Sequence, residues 1–425
     1  MGPEHLTTSE SDDARRAVEH AARASRARLI ALLASATGDL ALAEDAVGTA
    51  FERSLTTWPR SGVPDNPEGW LLTVARNYQR DTWKSAGHRR SVPLYEADDR
   101  AAPGDISPDE LNPRLLPDRR LELLFVCAHP AIDPAARTPL MLQTVLGFEA
   151  ADVARAFAVP AATMAQRLVR AKRRIKDAHI RFSIPGREQM PERLPVVLEA
   201  LYGCFAIAWN DADGIGPDTA ESMAGEALYL AVTLASLIDD DPEAWALAAL
   251  IALSLARASA RLGDYVPLDE QDPLTWDPDL IADGEALLRR ADRLPGPLGR
   301  FQIEAAMQAV HAARTRTGET DWAALRTLSS ALVRVAPNLG ARVAHAAILA
   351  RTDGAAAGLV ALDQLAAAND ALDRFQPFHA VRAKLLQQNG NFDQAREAYQ
   401  CATRLSTDER VTAWLLAQAD ADYRT

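Results

Sequence analysis

The sequence predicts an all-α protein built from several helical domains, and three observations lead there. A chain of 425 residues is too long for one ordinary core, and 48% hydrophobic residues supply material for more than one. Alanine is abundant while strand formers rarely alternate with polar residues, so helical periodicity dominates. Stretches rich in Pro, Gly and Asp, at 59–67, 92–118, 210–218 and 266–279, punctuate the chain into blocks.

Several function classes are excluded at once. The N-terminus MGPEHLTTSESDDARR lacks an apolar core, and the best apolar run, Ala244 to Leu255, is short enough to read as a buried helix. A cytoplasmic protein without a membrane anchor is therefore expected. Cys127, Cys204 and Cys401 lie far apart, which argues against a disulfide framework or a paired-cysteine zinc site. There is no HExxH, no phosphate-loop lysine motif and no GxGxxG opening a strand–helix unit. The eight histidines are scattered. Glu221, Glu226 and Asp239 to Asp241 read as a solvated acidic face, since no nucleophile or metal set accompanies them. No metal, cofactor or catalytic residue is expected, and the chain is not expected to be an enzyme.

The net charge of −12 conceals a split. Residues 1–190 hold 26 Lys+Arg against 25 Asp+Glu, whereas 191–425 hold 20 against 33. The basic excess is concentrated between Ala165 and Arg181, where only Asp177 opposes the cations. A surface facing phosphates belongs to the first half.

The pattern is helical from Ala14 to Trp58, broken at Gly38–Asp39, with Asp39 as N-cap of a helix from Leu40. Leu40, Ala43, Val47, Ala50, Phe51 and Leu55 are expected on its buried stripe, with Glu44, Asp45 and Glu52 facing outward. Asp65 or Asn66 caps a second helix, 68–85, with Pro67 in its first turn. Trp70, Leu71, Val74, Ala75 and Tyr78 form its apolar side, and Trp70 fits a core anchor; Tyr78 and Trp83 read either as core or as stacking platforms for a base. Residues 92–118 read as an acidic linker.

Four helices follow, at 120–129, 135–145, 150–157 and 161–178. In the last two, Val153, Ala154 and Phe157, then Leu168, Val169 and Ile175, are expected inside, with Ala158-Val159-Pro160 as the turn. This is a helix-turn-helix pattern. Thr163, Gln166, Arg167 and Arg170 suit base edges, while Lys172, Arg173, Arg174 and Lys176 suit phosphates. A charged helix end is also compatible with simple solvation. Beyond Pro185 the chain is helical and acidic. Gly318, Gly354 and Gly390 recur every 36 residues, and Gly390-Asn391-Phe392 with Ala395, Tyr399 and Ala402 has the spacing of a tetratricopeptide repeat. An ordinary helical bundle stays open beside that reading.

LAEDAVGTAFERSLTTW (42–58), DNPEGWLLTVARNYQRD (65–81) and AADVARAFAVPAATMAQRLVRAKRRIKDA (150–178) resemble regions 2 and 4 of extracytoplasmic-function sigma factors. The resemblance extends through 127–148, Asp241-Pro242-Glu243-Ala244 and 268–288 to the subgroup with a long tetratricopeptide-like C-terminal extension. It implies a region 2-like domain (14–91), a linker (92–118), a helix-turn-helix region 4-like domain (119–184), a helical extension (185–300) and a helical-repeat domain (301–425). It further implies binding to core RNA polymerase and promoter DNA, and a small YCII/DGPF-type protein as a partner.

By the same resemblance, Glu44, Asp45, Phe51 and Glu52 bind the polymerase clamp. Asn77, Arg80, Asp81, Trp83 and Lys84 handle the −10 element. Thr163, Gln166, Arg167, Arg170, Lys172, Arg173 and Arg174 read the −35 element. The sequence departs from the family at Tyr78, Gln79, Thr82 and Trp83, and at 203–214, where only Asn210-Asp211 remains of an Asn-Glu-Gly-Tyr-like segment. A helix-turn-helix regulator using the 150–178 motif alone, or a degenerate sigma-fold scaffold, are the competing readings.

Overall fold

The computed structural model describes Val18 and residues 25–89, 118–210, 217–261 and 263–421; side chains at 84–89, 210 and 217–222 lie outside the description. Residues 92–117 of the expected linker, Asp211 and the Glu221 side chain therefore lie outside the described residues. Every regular element among the described residues is helical, as the composition predicts. None of these helices is long and apolar enough to cross a membrane. Two compact units form, Met1–Gly203 and Cys204–Thr425.

In the first unit, α1 (residues 25–37) ends at Gly38, whose positive φ of 70° permits the break. Asp39 then caps α2 (Leu40–Ser61), its carboxylate accepting from the Leu42 N–H at 3.1 Å. The buried face of α2 is Leu40, Ala43, Ala46, Val47, Ala50, Ser54 and Trp58. The expected stripe is thus rotated in its second half: Leu55 is 49% exposed and Phe51 only partly covered. The fully buried Trp58 indole sets that rotation, bringing Ser54 inward one turn earlier. The helix also runs through Pro59 near its C-terminal end, where the missing N–H leaves the Leu55 carbonyl without its usual i→i−4 donor.

Asn66 opens α3 (Pro67–Arg89), accepting from the Gly69 N–H at 2.9 Å. Trp70 is only partly buried and meets Trp58 edge to face at 5.6 Å, so Trp58 is the anchor and Trp70 its cover. Leu71, Leu72 and Ala75 are fully buried where α3 packs on α2.

The remaining helices of this unit are α4 (Arg120–Cys127), α5 (Pro134–Thr144), α6 (Ala150–Ala156), α7 (Ala161–Asp177) and α8 (Met190–Asn210), the last containing the division between the units. Each of the first four starts and ends within two residues of its expected bounds. α5 packs on α4, α6 and α7, and α7 also packs on α2. Arg120, 8% exposed, is held by both Asp118 oxygens at 2.7–3.1 Å. Burial opposes ionisation of Asp118, but the bonds and charge of Arg120 outweigh it and hold the carboxyl below its ordinary range.

In the second unit, helix Pro242–Leu255 is apolar on all sides and is the centre of the packing, contacting Pro217–Ile238, Pro278–Asp292 and Arg300–Ala312. Gly284 lets two of these helices close up: a Cβ there would stand 2.6 Å from Leu253 Cγ. Three helix pairs follow, Trp322–Val335 with Leu339–Asp353, Ala355–Ala367 with Gln376–Gln388, and Phe392–Leu405 with Glu409–Asp420. Gly318, Gly354 and Gly390 each take a positive φ just after a helix end, so their 36-residue spacing marks real boundaries. Ala395, Tyr399 and Ala402 are buried, and the Tyr399 hydroxyl donates to Gln387 Oε1 at 3.0 Å.

Candidate nucleic-acid and protein interface

At 150–177, where the sequence predicts a helix-turn-helix, α6 and α7 pack on each other across a short turn. The turn places Ala158 at φ 51°, and the Val159 N–H returns to the Ala154 carbonyl at 2.9 Å. Met164, Leu168, Ala171 and Ile175 form the inner side of α7. Val169, expected inside, is 66% exposed, because only the spacing 164–168–171–175 keeps one face of a 3.6-residue helix. Phe157, also expected inside, is 41% exposed at the C-cap of the short α6, where the chain already turns away from the core.

Along α7 the polar residues separate into two sets. Gln166 and Arg170 are exposed near its N-terminal half, with Thr163 and Arg167 partly covered beside them. Arg173 is exposed and loosely paired with Asp177 at 3.5 Å, and the Arg174 Nε donates to the Ala131 carbonyl at 3.2 Å. Lys172 and Lys176, one turn apart, face α2 instead. The Lys172 ammonium donates to Glu44 at 2.7 Å and the Lys176 ammonium to Asp39 at 2.6 Å. Glu44, expected to face outward, is thus partly covered and committed, with the Thr144 hydroxyl at 3.5 Å from its other oxygen. Asp45 and Glu52 do face outward, while Phe51 is partly covered.

On α3, the Asn77 amide oxygen accepts from Arg80 at 2.7 Å, and Asp81 is exposed beside them. Trp83 is 54% exposed, which removes the core reading for that ring; Tyr78 is partly covered. The Lys84 side chain lies outside the described residues.

The roles of Asp39 and Lys176 across the α2–α7 contact were not legible in the sequence, since their partners are more than a hundred residues away. Asp39 does two jobs there: one oxygen caps α2 and the other takes Lys176. Among the described residues no cluster of His, Cys, Asp or Glu could hold a metal ion. Cys127 and Cys204 are fully enclosed, and burial pushes both thiols well above their ordinary range.

Residues 22–89 match the family Sigma-70 region 2, and residues 193–292 match a family of unknown function, DUF6596. An uncharacterized protein of Rhizobium meliloti, R00370, is 34% identical over 394 residues, which is 90% of both chains. A probable ECF RNA polymerase sigma factor, SigI, of Mycobacterium tuberculosis is 33% identical over 181 residues. That match covers 41% of this chain and 60% of the relative. No solved structure matches the chain. Helical throughout its described residues, the chain carries a Sigma-70 region 2 at its N-terminus and an extra C-terminal region, and is similar in part to an extracytoplasmic-function sigma factor.

Proposed function

We propose that this chain binds core RNA polymerase and directs it to promoters, with α2 on the polymerase and with α3 and α7 on the DNA. One observation carries the reading. The same chain that matches Sigma-70 region 2 also packs α6 against α7 across a short turn, and the exposed Gln166 and Arg170 of α7 support reading this pair as a helix-turn-helix with a second helix long enough for a major groove. Arg170 and its neighbour Arg167 supply donors for a guanine edge, and Arg173 supplies a phosphate contact. The exposed Trp83, close to Asn77, Arg80 and Asp81 on α3, offers a face on which an unpaired base of the −10 element can stack. The polymerase performs the nucleotide chemistry, and this chain contributes no catalytic group.

Glu44 and Lys172 occupy each other in the described arrangement, so engagement of either with polymerase or DNA requires that pair to part. The three C-terminal helix pairs, with Ala395 and Ala402 buried around Tyr399, support a tetratricopeptide-like repeat domain. Neither the described residues nor the comparisons support a small YCII/DGPF-type partner.

The test is run-off transcription with purified core polymerase and the DNA upstream of this protein's own coding sequence. Specific initiation that requires the full-length protein is expected. DNA binding without any polymerase-dependent initiation would favour a helix-turn-helix regulator, and neither activity would favour a scaffold.

A further inference from the structure

The second unit contains a cavity of about 420 Å³ whose lining includes Trp209, Arg257, Arg261, Tyr265, Asp408 and Arg410. Its size is that of a small-molecule site. Among the described lining residues three guanidinium groups stand with one carboxylate, whereas residues 191–425 hold 20 basic against 33 acidic residues.

The one carboxylate is already used. Asp408 caps the last helix through the Arg410 and Val411 N–H groups and pairs with the Arg410 guanidinium at 3.2 Å. Arg410 also donates to the Arg261 carbonyl at 2.8 Å, which ties the two walls together. Arg261 lies over the Trp209 ring at 4.4 Å, with Arg257 5.9 Å from the same ring.

Arg257 is the anomalous member. Its Nη2 donates to the Gln308 amide oxygen at 2.8 Å, but its buried Nε has no hydrogen-bond partner, and no carboxylate among the described residues pairs with it. Burial, with the like charge of Arg261 adding to it, lowers its pKa to about 10, so the cation stays charged at neutral pH in a place that does not favour it. A buried charge with no counter-ion among the described residues is costly, and Arg257, which lines the cavity, carries a planar guanidinium suited to an oxyanion. The indole of Trp209 and the apolar lining at Val266, Leu405 and Val411 offer cover for the body of a compact ligand.

We propose that this cavity binds a small organic molecule through a doubly charged oxyanion, a phosphate ester or a dicarboxylate, with Arg257 and Arg261 as its principal donors. The proposal concerns the extra C-terminal region and does not depend on promoter binding.

The experiment is thermal unfolding of the full-length protein titrated with adenosine 5′-monophosphate, citrate or inorganic phosphate. Adenosine and sodium chloride at matched ionic strength serve as controls. A saturable rise with at least one anionic probe and none with either control is expected. Response to adenosine monophosphate alone assigns a phosphate ester, and response to citrate alone a polycarboxylate. In Arg257→Gln, the apparent affinity is expected to fall about tenfold or more, the loss of one charge-assisted contact. Arg261→Gln, at the other donor, provides the same reading where circular dichroism shows that Arg257→Gln does not fold. Because α7 is also basic, Arg170→Ala serves as a third variant and is expected to keep the full response. The proposal is overturned if no probe exceeds the salt control. It is equally overturned if the response survives in the folded cavity variants or disappears with Arg170→Ala.

Discussion

The Lys172 ammonium donates to Glu44 across 2.7 Å, joining α7 to α2 between residues 128 positions apart. Both side chains are largely covered, at 12% and 18% exposure, so water screens the pair less than it screens a surface contact. Removing one partner leaves the other charge half-buried and alone. Glu44→Gln and Lys172→Met are each expected to lower stability by about 1–3 kcal/mol, between the values of exposed and fully buried pairs. The double variant is expected to cost less than the sum. A denaturation cycle with strictly additive costs would show that the two residues are neighbours without coupling.

The recognition surface gives a second expectation. Arg170 is exposed on α7 while Arg167 is partly covered, so Arg170 has the freer reach to a base edge. Arg170→Ala is expected to weaken promoter binding by about 1–3 kcal/mol and relax preference at one −35 position. Arg173→Ala is expected to weaken all sequences alike and to flatten the salt dependence. Titrations on wild-type and single-base-changed promoters separate the two. Unchanged selectivity in Arg170→Ala would remove that residue from base reading.

Helix positions up to residue 178, the turn at Ala158 and the buried core of Pro242–Leu255 were legible because each is set by local signals: caps, proline, glycine and apolar period. The rotation of α2 was not, because Leu55 and Ser54 differ by only one position and the burial of Trp58 decides between them. The separation of Lys172 and Lys176 from Arg170 and Arg173 was equally hidden. Sequence spacing shows that 172 and 176 share a face, but only the docking of α7 on α2 shows that this face meets Glu44 and Asp39. The cavity around Arg257 lay outside sequence reasoning for the same reason, since its walls come from four separated stretches.

The covered position of Glu44 changes which acids are available to the polymerase. Asp45 and Glu52 are exposed on α2, so reversal of both to Lys is expected to weaken holoenzyme formation while helicity by circular dichroism stays unchanged. Retention of full core binding in a pull-down would take this face of α2 out of the interface.

Glu243 and Gly299 set up a stability test in the second unit. The Glu243 carboxylate accepts from the Phe301 and Gln302 N–H groups, both at 2.9 Å, and so caps helix Arg300–Ala312 from a distant part of the chain. A Cβ on Gly299 would stand 2.1 Å from the Glu243 carboxyl carbon. Gly299→Ala is therefore expected to displace the cap, and Glu243→Ala to remove it, each costing about 1–2 kcal/mol. The double variant is expected to be little worse than either alone. Wild-type melting of Gly299→Ala would show that the carboxylate can shift without loss.

His311 makes the pH dependence of the same unit testable. Burial, then the charges of Arg257 and Arg314, lower its pKa from 6.5 to about 4. The folded state therefore holds a neutral imidazole, while the unfolded chain takes up a proton near pH 6.5. Between those two values the unfolded state binds more protons, so stability is full above about pH 6.5 and falls as the pH is lowered toward 4. The loss attributable to this group is at most about 3.5 kcal/mol, since each tenfold change in proton affinity is worth about 1.4 kcal/mol. The imidazole also meets the Trp322 ring edge to face at 6.4 Å, so the replacement must keep bulk as well as neutrality. In His311→Gln the sloping part of the stability profile between pH 6.5 and 4 is expected to flatten, whatever happens to the absolute stability. Denaturant unfolding at several pH values across that window reads the slope directly. An unchanged slope in the variant would assign the acid sensitivity to the carboxylates of this acidic unit rather than to His311.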